Sequence, residues 1–121
     1  MAWPLDERRA TLRCDFLIKV QIELPEDFTD DPVFQHRRHA FTRNIGLEGV
    51  LIVSSIPIPP GTRLRIWIPF YVSGKTLELT GEVVQCERTV SGHEVALKFV
   101  ETNPIADSLI LQYVGTQWNK A

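Results

Sequence analysis

The sequence lacks a long apolar run. Its longest nearly apolar stretch, Ile66 to Val72, falls far short of the roughly 20 residues a membrane-spanning helix needs, so direct membrane insertion is not expected. It also lacks a charge excess of one sign: 13 basic against 15 acidic residues give a formal net charge of -2. A broad basic face for duplex nucleic acid is therefore not expected. The opening residues, Met-Ala-Trp-Pro-Leu-Asp-Glu-Arg-Arg, hold no apolar core of a secretory signal, and a cytoplasmic location is the expectation. Cysteine is scarce. Cys14 and Cys86 stand far apart without metal-ligand spacing, each inside a strand pattern, so both are read as buried or half-buried thiols. Internal repeats and low-complexity tracts are missing as well. What is there is ordinary globular material, 44% hydrophobic and 23% charged over 121 residues, enough for one domain with one core.

The clearest local pattern runs from Leu12 to Leu24, where Leu12, Cys14, Phe16, Ile18, Val20, Ile22 and Leu24 alternate with mostly polar residues. A period of two predicts one long strand with Arg13 on its outer face, Leu17 being the exception, ended by Pro25. Residues 25 to 33 are acidic and turn-rich and read as a loop, and Phe34 to Arg43 as a solvated strand. Gly49 to Ser55 reads as a short buried strand stopped by Pro57, Pro59, Pro60 and Gly61. Thr62 to Phe70 alternates again, with Leu64, Ile66, Ile68 and Phe70 on one side and Arg63, Arg65 and Trp67 on the other. Pro69 removes a ladder donor there and predicts an edge or a bulge. Ser73-Gly74 and Ser91-Gly92 predict hairpin turns around a strand from Thr76 to Arg88, with a last strand from His93 to Val100. Only the C-terminus has a helical period: Asn103 suits an N-cap, Pro104 the first turn, and Ile105, Ala106, Leu109, Ile110, Tyr113 and Val114 form one stripe. Short strands at hairpin spacing followed by a helix predict a mainly β protein, a small antiparallel barrel with a helix packed on it.

Catalytic arrangements are not found, and an enzyme is not expected. His36 and His39 sit three apart, which a strand splays to opposite faces, and no zincin-type carboxylate follows. No serine occupies a nucleophile elbow and no phosphate-cradling glycine loop opens a helix. Glu26-Asp27 and Asp30-Asp31 read as a solvated acidic loop rather than a cation site. No metal and no cofactor are expected.

What remains is the placement of arginine. Nine of the 13 basic residues are Arg, and six of those nine lie at or before Arg43. Arginine offers a planar fork that grips phosphate in two places and stacks on rings. Arg8, Arg9 and Arg13 cluster at the start of the first strand, and Arg43-Asn44-Ile45-Gly46-Leu47-Glu48-Gly49 reads as a turn whose two glycines allow close backbone approach. Taken singly, a solvated terminus and turn geometry account for these features.

Together they resemble the PilZ domains, which bind cyclic di-GMP. The family's Arg-x-x-x-Arg motif is matched by Arg9-Ala-Thr-Leu-Arg13, preceded by Glu7-Arg8, and its Asp/Asn-x-Ser-x-x-Gly motif by Asn44-Ile45-Gly46-Leu47-Glu48-Gly49. Pro60-Gly61 before a strand, Gly81-Glu-Val-Val, and Val95-Ala-Leu-Lys-Phe near the end also fit, so the resemblance spans Glu7 to Val114. It implies a six- or seven-stranded antiparallel PilZ-like β-barrel over residues 12–121, with a helix over about 104–117, after a flexible segment 1–11 that carries the start of the arginine motif. It further implies a cyclic di-GMP receptor in which Arg9 and Arg13, helped by Arg8, clamp phosphate and guanine, Asn44 meets a guanine edge, and Gly49 permits close approach. Gly46 departs from the family's usual serine. One missing neutral hydrogen bond costs about 0.5–1.5 kcal/mol, a two- to tenfold loss that two arginines outweigh. The output implied is a ligand-dependent contact with an unidentified effector protein. A degenerate adaptor that binds no nucleotide is the alternative, and a single-stranded nucleic-acid binder using Trp67, Arg63 and Arg65 is a third reading. The acidic connection from Pro25 to Arg43 is longer than the family pattern and is expected to shield the site or to contact a partner.

Overall fold

The computed structural model describes residues 13–15, 17–70, 74–100, 105 and 107–111. Its strands are β1 (Arg13–Asp15), β2 (Lys19–Glu23), β3 (Arg37–Gly46), β4 (Gly49–Ser54), β5 (Arg63–Phe70), β6 (Lys75–Thr89) and β7 (Gly92–Phe99). All pairings are antiparallel, in the order β1-β3-β2-β5-β6-β7-β4, with a further β3–β4 pairing. That last pairing closes the sheet: of the seven strands, all but β1 form a ring of six, and β1 lies along the end of β3. A closed ring leaves each of its strands paired on both sides and encloses one core.

The core is aliphatic. Val20, Ile22, Val50, Ile52, Leu64, Ile66, Ile68, Val83, Val95 and Leu97 alternate inward along their strands, and Ile58, in the proline-rich connection, is fully buried among them. Helical backbone occurs at residue 105 and at 107–111, where Leu109 and Ile110 join the core. The remainder of the helix predicted over 104–117 lies outside the described residues. Two hairpin predictions hold: Gly74 has φ +70° and Gly92 φ +134°. A Cβ at Gly92 would lie 2.8 Å from the Ser54 carbonyl oxygen, so both conformation and space demand glycine. Pro69 also falls where expected, since the β2 pairing of β5 ends at Trp67 and leaves the end of β5 paired to β6 alone.

Three predictions need correction. The single strand over Leu12 to Leu24 is two strands, because β1 and β2 pair with β3 in registers one residue apart: from Lys19↔Phe41 to Asp15↔Asn44 the chain takes four steps against three on β3. Buried Thr42 stitches the break, its Oγ1 accepting from Ile18 N at 3.0 Å and donating to Ile18 O at 3.3 Å, while Leu17 beside it is 79% exposed. The strand expected over Phe34 to Arg43 begins and ends later, and is not merely solvated, since Ala40, Thr42 and Ile45 are buried. The turn expected from Arg43 to Gly49 is shorter than that span, and Gly46 and Gly49 flank it. They end β3 and begin β4 around the two-residue connection Leu47-Glu48, and positive φ among the described residues is confined to Gly61, Gly74 and Gly92.

Candidate functional site

A bulge builds the site. Along β3 the buried residues are Ala40 and Thr42, then Ile45 and Gly46, and the core-facing phase changes between Thr42 and Ile45. The β3–β4 register shifts there, with Thr42↔Ile52 followed by Asn44↔Leu51, leaving Arg43 as the extra residue. Without it, regular alternation would send Asn44 into the aliphatic core. With it, Asn44 and Gly46 lie on the outer side and Ile45 turns inward. Arg43 is exposed and pairs with Glu94 at 3.5 Å.

The same stretch of β3 receives β1. Arg13 stands directly opposite Gly46, Cys14 opposite Ile45 and Asp15 opposite Asn44. Two sequence motifs separated by the whole of β2 and its long loop are therefore neighbouring strands. Arg13 is placed here by its backbone; Arg8 and Arg9 lie outside the described residues. Across β3 on the other side, the row continues Asn44–Leu51–Ala96–Gln85, and Gly49 stands opposite Lys98. Leu51 and Ala96 form a small buried pair separate from the main core. The result is a patch of buried residues, Gly46, Gly49 and Ala96 with Leu51 among them, bounded by Asn44 and Lys98.

Asn44 carries an unmet demand. Its Oδ1 is buried and has no hydrogen-bond partner among the described residues. A buried acceptor left unpaired costs about 1–3 kcal/mol, so this amide is set to accept from something that supplies a donor.

Other candidates do not join the site. His36, just before β3, packs edge-on to Phe34, ring centroids 4.9 Å apart, and His39 is exposed on the outer side of β3 near its start. No group of three potential metal ligands occurs among the described residues. Arg63 and Arg65 are engaged with Glu82 at 3.2 Å and Glu78 at 3.1 Å, and the Arg37 guanidinium covers Trp67 at 4.2 Å from the ring centroid. That row is charge-paired and its aromatic face is taken, so it is no open stacking platform for single-stranded nucleic acid.

The acidic connection is not placed to shield the site, one of the two roles expected of it. It makes a 3-10 turn at Glu26–Phe28, and Phe28 stacks on Phe34 at 5.6 Å, both packing against the core. It enters β3 at Arg37, and at roughly 3.3 Å per residue Arg37 and Asn44 are about 23 Å apart along the strand. The loop closes the other end of the barrel and does not shield Asn44. The β4–β7 pairing brings Lys98 beside Gly49, a juxtaposition with no local signal in the sequence.

Fold and site together define a small closed antiparallel barrel in which the β3–β4 connection lies beside β1. The chain belongs to the PilZ domain family, whose model matches residues 7–115. It is similar in structure to the Bacillus subtilis inhibitor of motility MotI/DgrA (TM-score 0.75, 19% identity, 93% of this chain and 52% of that one). It is likewise similar to Escherichia coli YcgR in complex with c-di-GMP (TM-score 0.73, 12% identity, 93% of this chain and 47% of that one). The PilZ domain of YcgR with c-di-GMP matches over 93% of both chains, with a TM-score of 0.68 and 11% identity. The chain thus spans about half the length of the first two proteins. No curated protein sequence matches it. No helix among the described residues is long and apolar enough to cross a membrane.

Proposed function

We propose that this domain is a receptor for cyclic di-GMP that acts by binding rather than catalysis. The observation that carries the reading is the β1–β3 pairing, which sets Arg13, the last residue of the first motif, opposite Gly46, and Asp15 opposite Asn44, at the second motif. The unpartnered Asn44 acceptor beside it suits a guanine edge, which presents N–H donors. Arginine supplies the forked, charge-assisted contact that phosphate and guanine both accept. The two YcgR structures hold c-di-GMP on the same fold. In this reading Arg8, Arg9 and Arg13 clamp the ligand, Asn44 meets a base, and Gly46 and Gly49 let it lie close. Binding changes the surface offered to an effector protein, which is the output.

A second reading is favoured by Gly46, which supplies no hydroxyl where the family motif has serine: an adaptor that binds no nucleotide. Titration calorimetry of the domain with cyclic di-GMP, beside an Arg9→Ala/Arg13→Ala variant, separates the two. Saturable binding that the variant loses is expected. Absence of heat at high micromolar ligand, repeated at a second temperature, establishes the adaptor instead.

A further inference from the structure

We propose that Lys98 is a further ligand-contacting cation of this site, holding a phosphate of the bound cyclic dinucleotide from the β7 side. The inference rests on the receptor reading above. Lys98 is exposed on the outer side of β7, next to Leu97, which is fully buried in the core. In register it stands directly opposite Gly49, the last residue of the second motif, and on its other side opposite Glu82. Directly opposed residues of an antiparallel pair bring their Cβ positions to about 5 Å. Toward β3, Lys98 therefore borders a residue with no side chain, Gly49, and Gly46 ends β3 just across the connection.

The charge around it is what makes Lys98 distinctive. Its row neighbour Glu82 is held by Arg63 at 3.2 Å. Nearby cations on the outer surface are likewise engaged, Arg43 with Glu94 at 3.5 Å and Arg65 with Glu78 at 3.1 Å. Lys98 makes no ion pair with any described residue, Glu48 in the adjoining connection included; the Glu48 carbonyl accepts from Phe99 N at 2.8 Å. A flexible, unpaired ammonium beside a stretch where Gly46 and Gly49 carry no side chain is suited to an anion that lies over them. A cyclic dinucleotide carries its two phosphates on opposite sides of its ring. In the receptor reading the arginines of the first motif hold one of them, and a cation on the β7 side is placed for the other.

The test is calorimetric titration of cyclic di-GMP into the wild-type chain and into Lys98→Gln, Lys98→Arg, Lys98→Glu and Arg13→Ala. Lys98→Gln is expected to weaken binding about tenfold, the size of one charge-assisted contact. Lys98→Arg keeps most of the affinity, Lys98→Glu loses more than Lys98→Gln, and the affinity of Lys98→Gln depends less steeply on salt than that of the wild type. The melting temperature without ligand should not move, because Lys98 is exposed and unpaired. Wild-type affinity and salt dependence in Lys98→Gln, with binding lost in Arg13→Ala, overturns the Lys98 assignment and leaves the receptor reading standing. No binding by the wild type overturns both.

Discussion

At the scale of single residues, Thr42 and Asn44 do opposite things with a buried polar group. Thr42 spends its hydroxyl inside the protein, accepting from Ile18 N and donating to Ile18 O where the first strand breaks. The Thr42 backbone N–H also donates to Ile18 O at 2.9 Å, so this one residue bridges the break three times. Asn44 leaves its amide oxygen unspent. Replacing Thr42 by Val keeps the shape and the backbone bond but orphans the Ile18 N–H. The expected cost is about 1–3 kcal/mol, the penalty for an unsatisfied buried donor. Chemical denaturation of Thr42→Val should show a lower midpoint at unchanged slope. An unchanged midpoint would mean that water replaces the hydroxyl and that the stitch contributes nothing.

At the scale of strands, one step on β3 explains both what the sequence displayed and what it concealed. The break between β1 and β2 takes four residues, an even number, so the alternation from Leu12 to Leu24 runs through it undisturbed and reads as one strand. On β3 the same interval takes three residues, an odd number, and the alternation inverts. Periodicity therefore weakens over the very strand that carries the second motif. Hairpins were legible because Gly74 and Gly92 sit at positive φ next to serine. The Asn44-to-Gly49 span was legible as a chemical pattern but not as geometry, since its glycines border strands instead of making a turn. The neighbours Gly49 and Lys98 were not legible, because β4 and β7 pair across two intervening strands. Since β1 is short and paired on one side only, among the described pairings, its amides are expected to exchange readily without ligand. Cyclic di-GMP should slow hydrogen exchange at residues 13–15 and 44–46 and leave residues 25–36 unchanged. Protection confined to residues 25–36 would place the ligand at the other end of the barrel.

Across the whole molecule the two ends of the barrel differ in charge as well as in role. Glu26, Asp27, Asp30 and Asp31 gather on the connection that precedes β3, whereas the proposed ligand site lies at the other end of that strand. These carboxylates repel a ligand with two phosphates, and the strength of that repulsion at the site depends on distance against screening. About 23 Å of β3 is roughly three Debye lengths at 0.15 M salt, where the Debye length is about 8 Å, but less than one at 0.01 M, where it is about 30 Å. An Asp30→Asn/Asp31→Asn variant tests this without disturbing the loop. The Asp31 Oδ1 accepts from Val33 N at 3.0 Å, and an asparagine carbonyl preserves that bond. At 0.15 M salt the variant should bind cyclic di-GMP within about twofold of the wild type, and at 0.01 M it should bind measurably more tightly. Calorimetry at the two ionic strengths reads both. If the variant gains strongly at 0.15 M, the acidic connection reaches the ligand itself, and its closing of the far end is not its only position. If it changes nothing at either salt, the barrel insulates its two ends, and the acidic end is free to present its charge to a partner independently of the ligand.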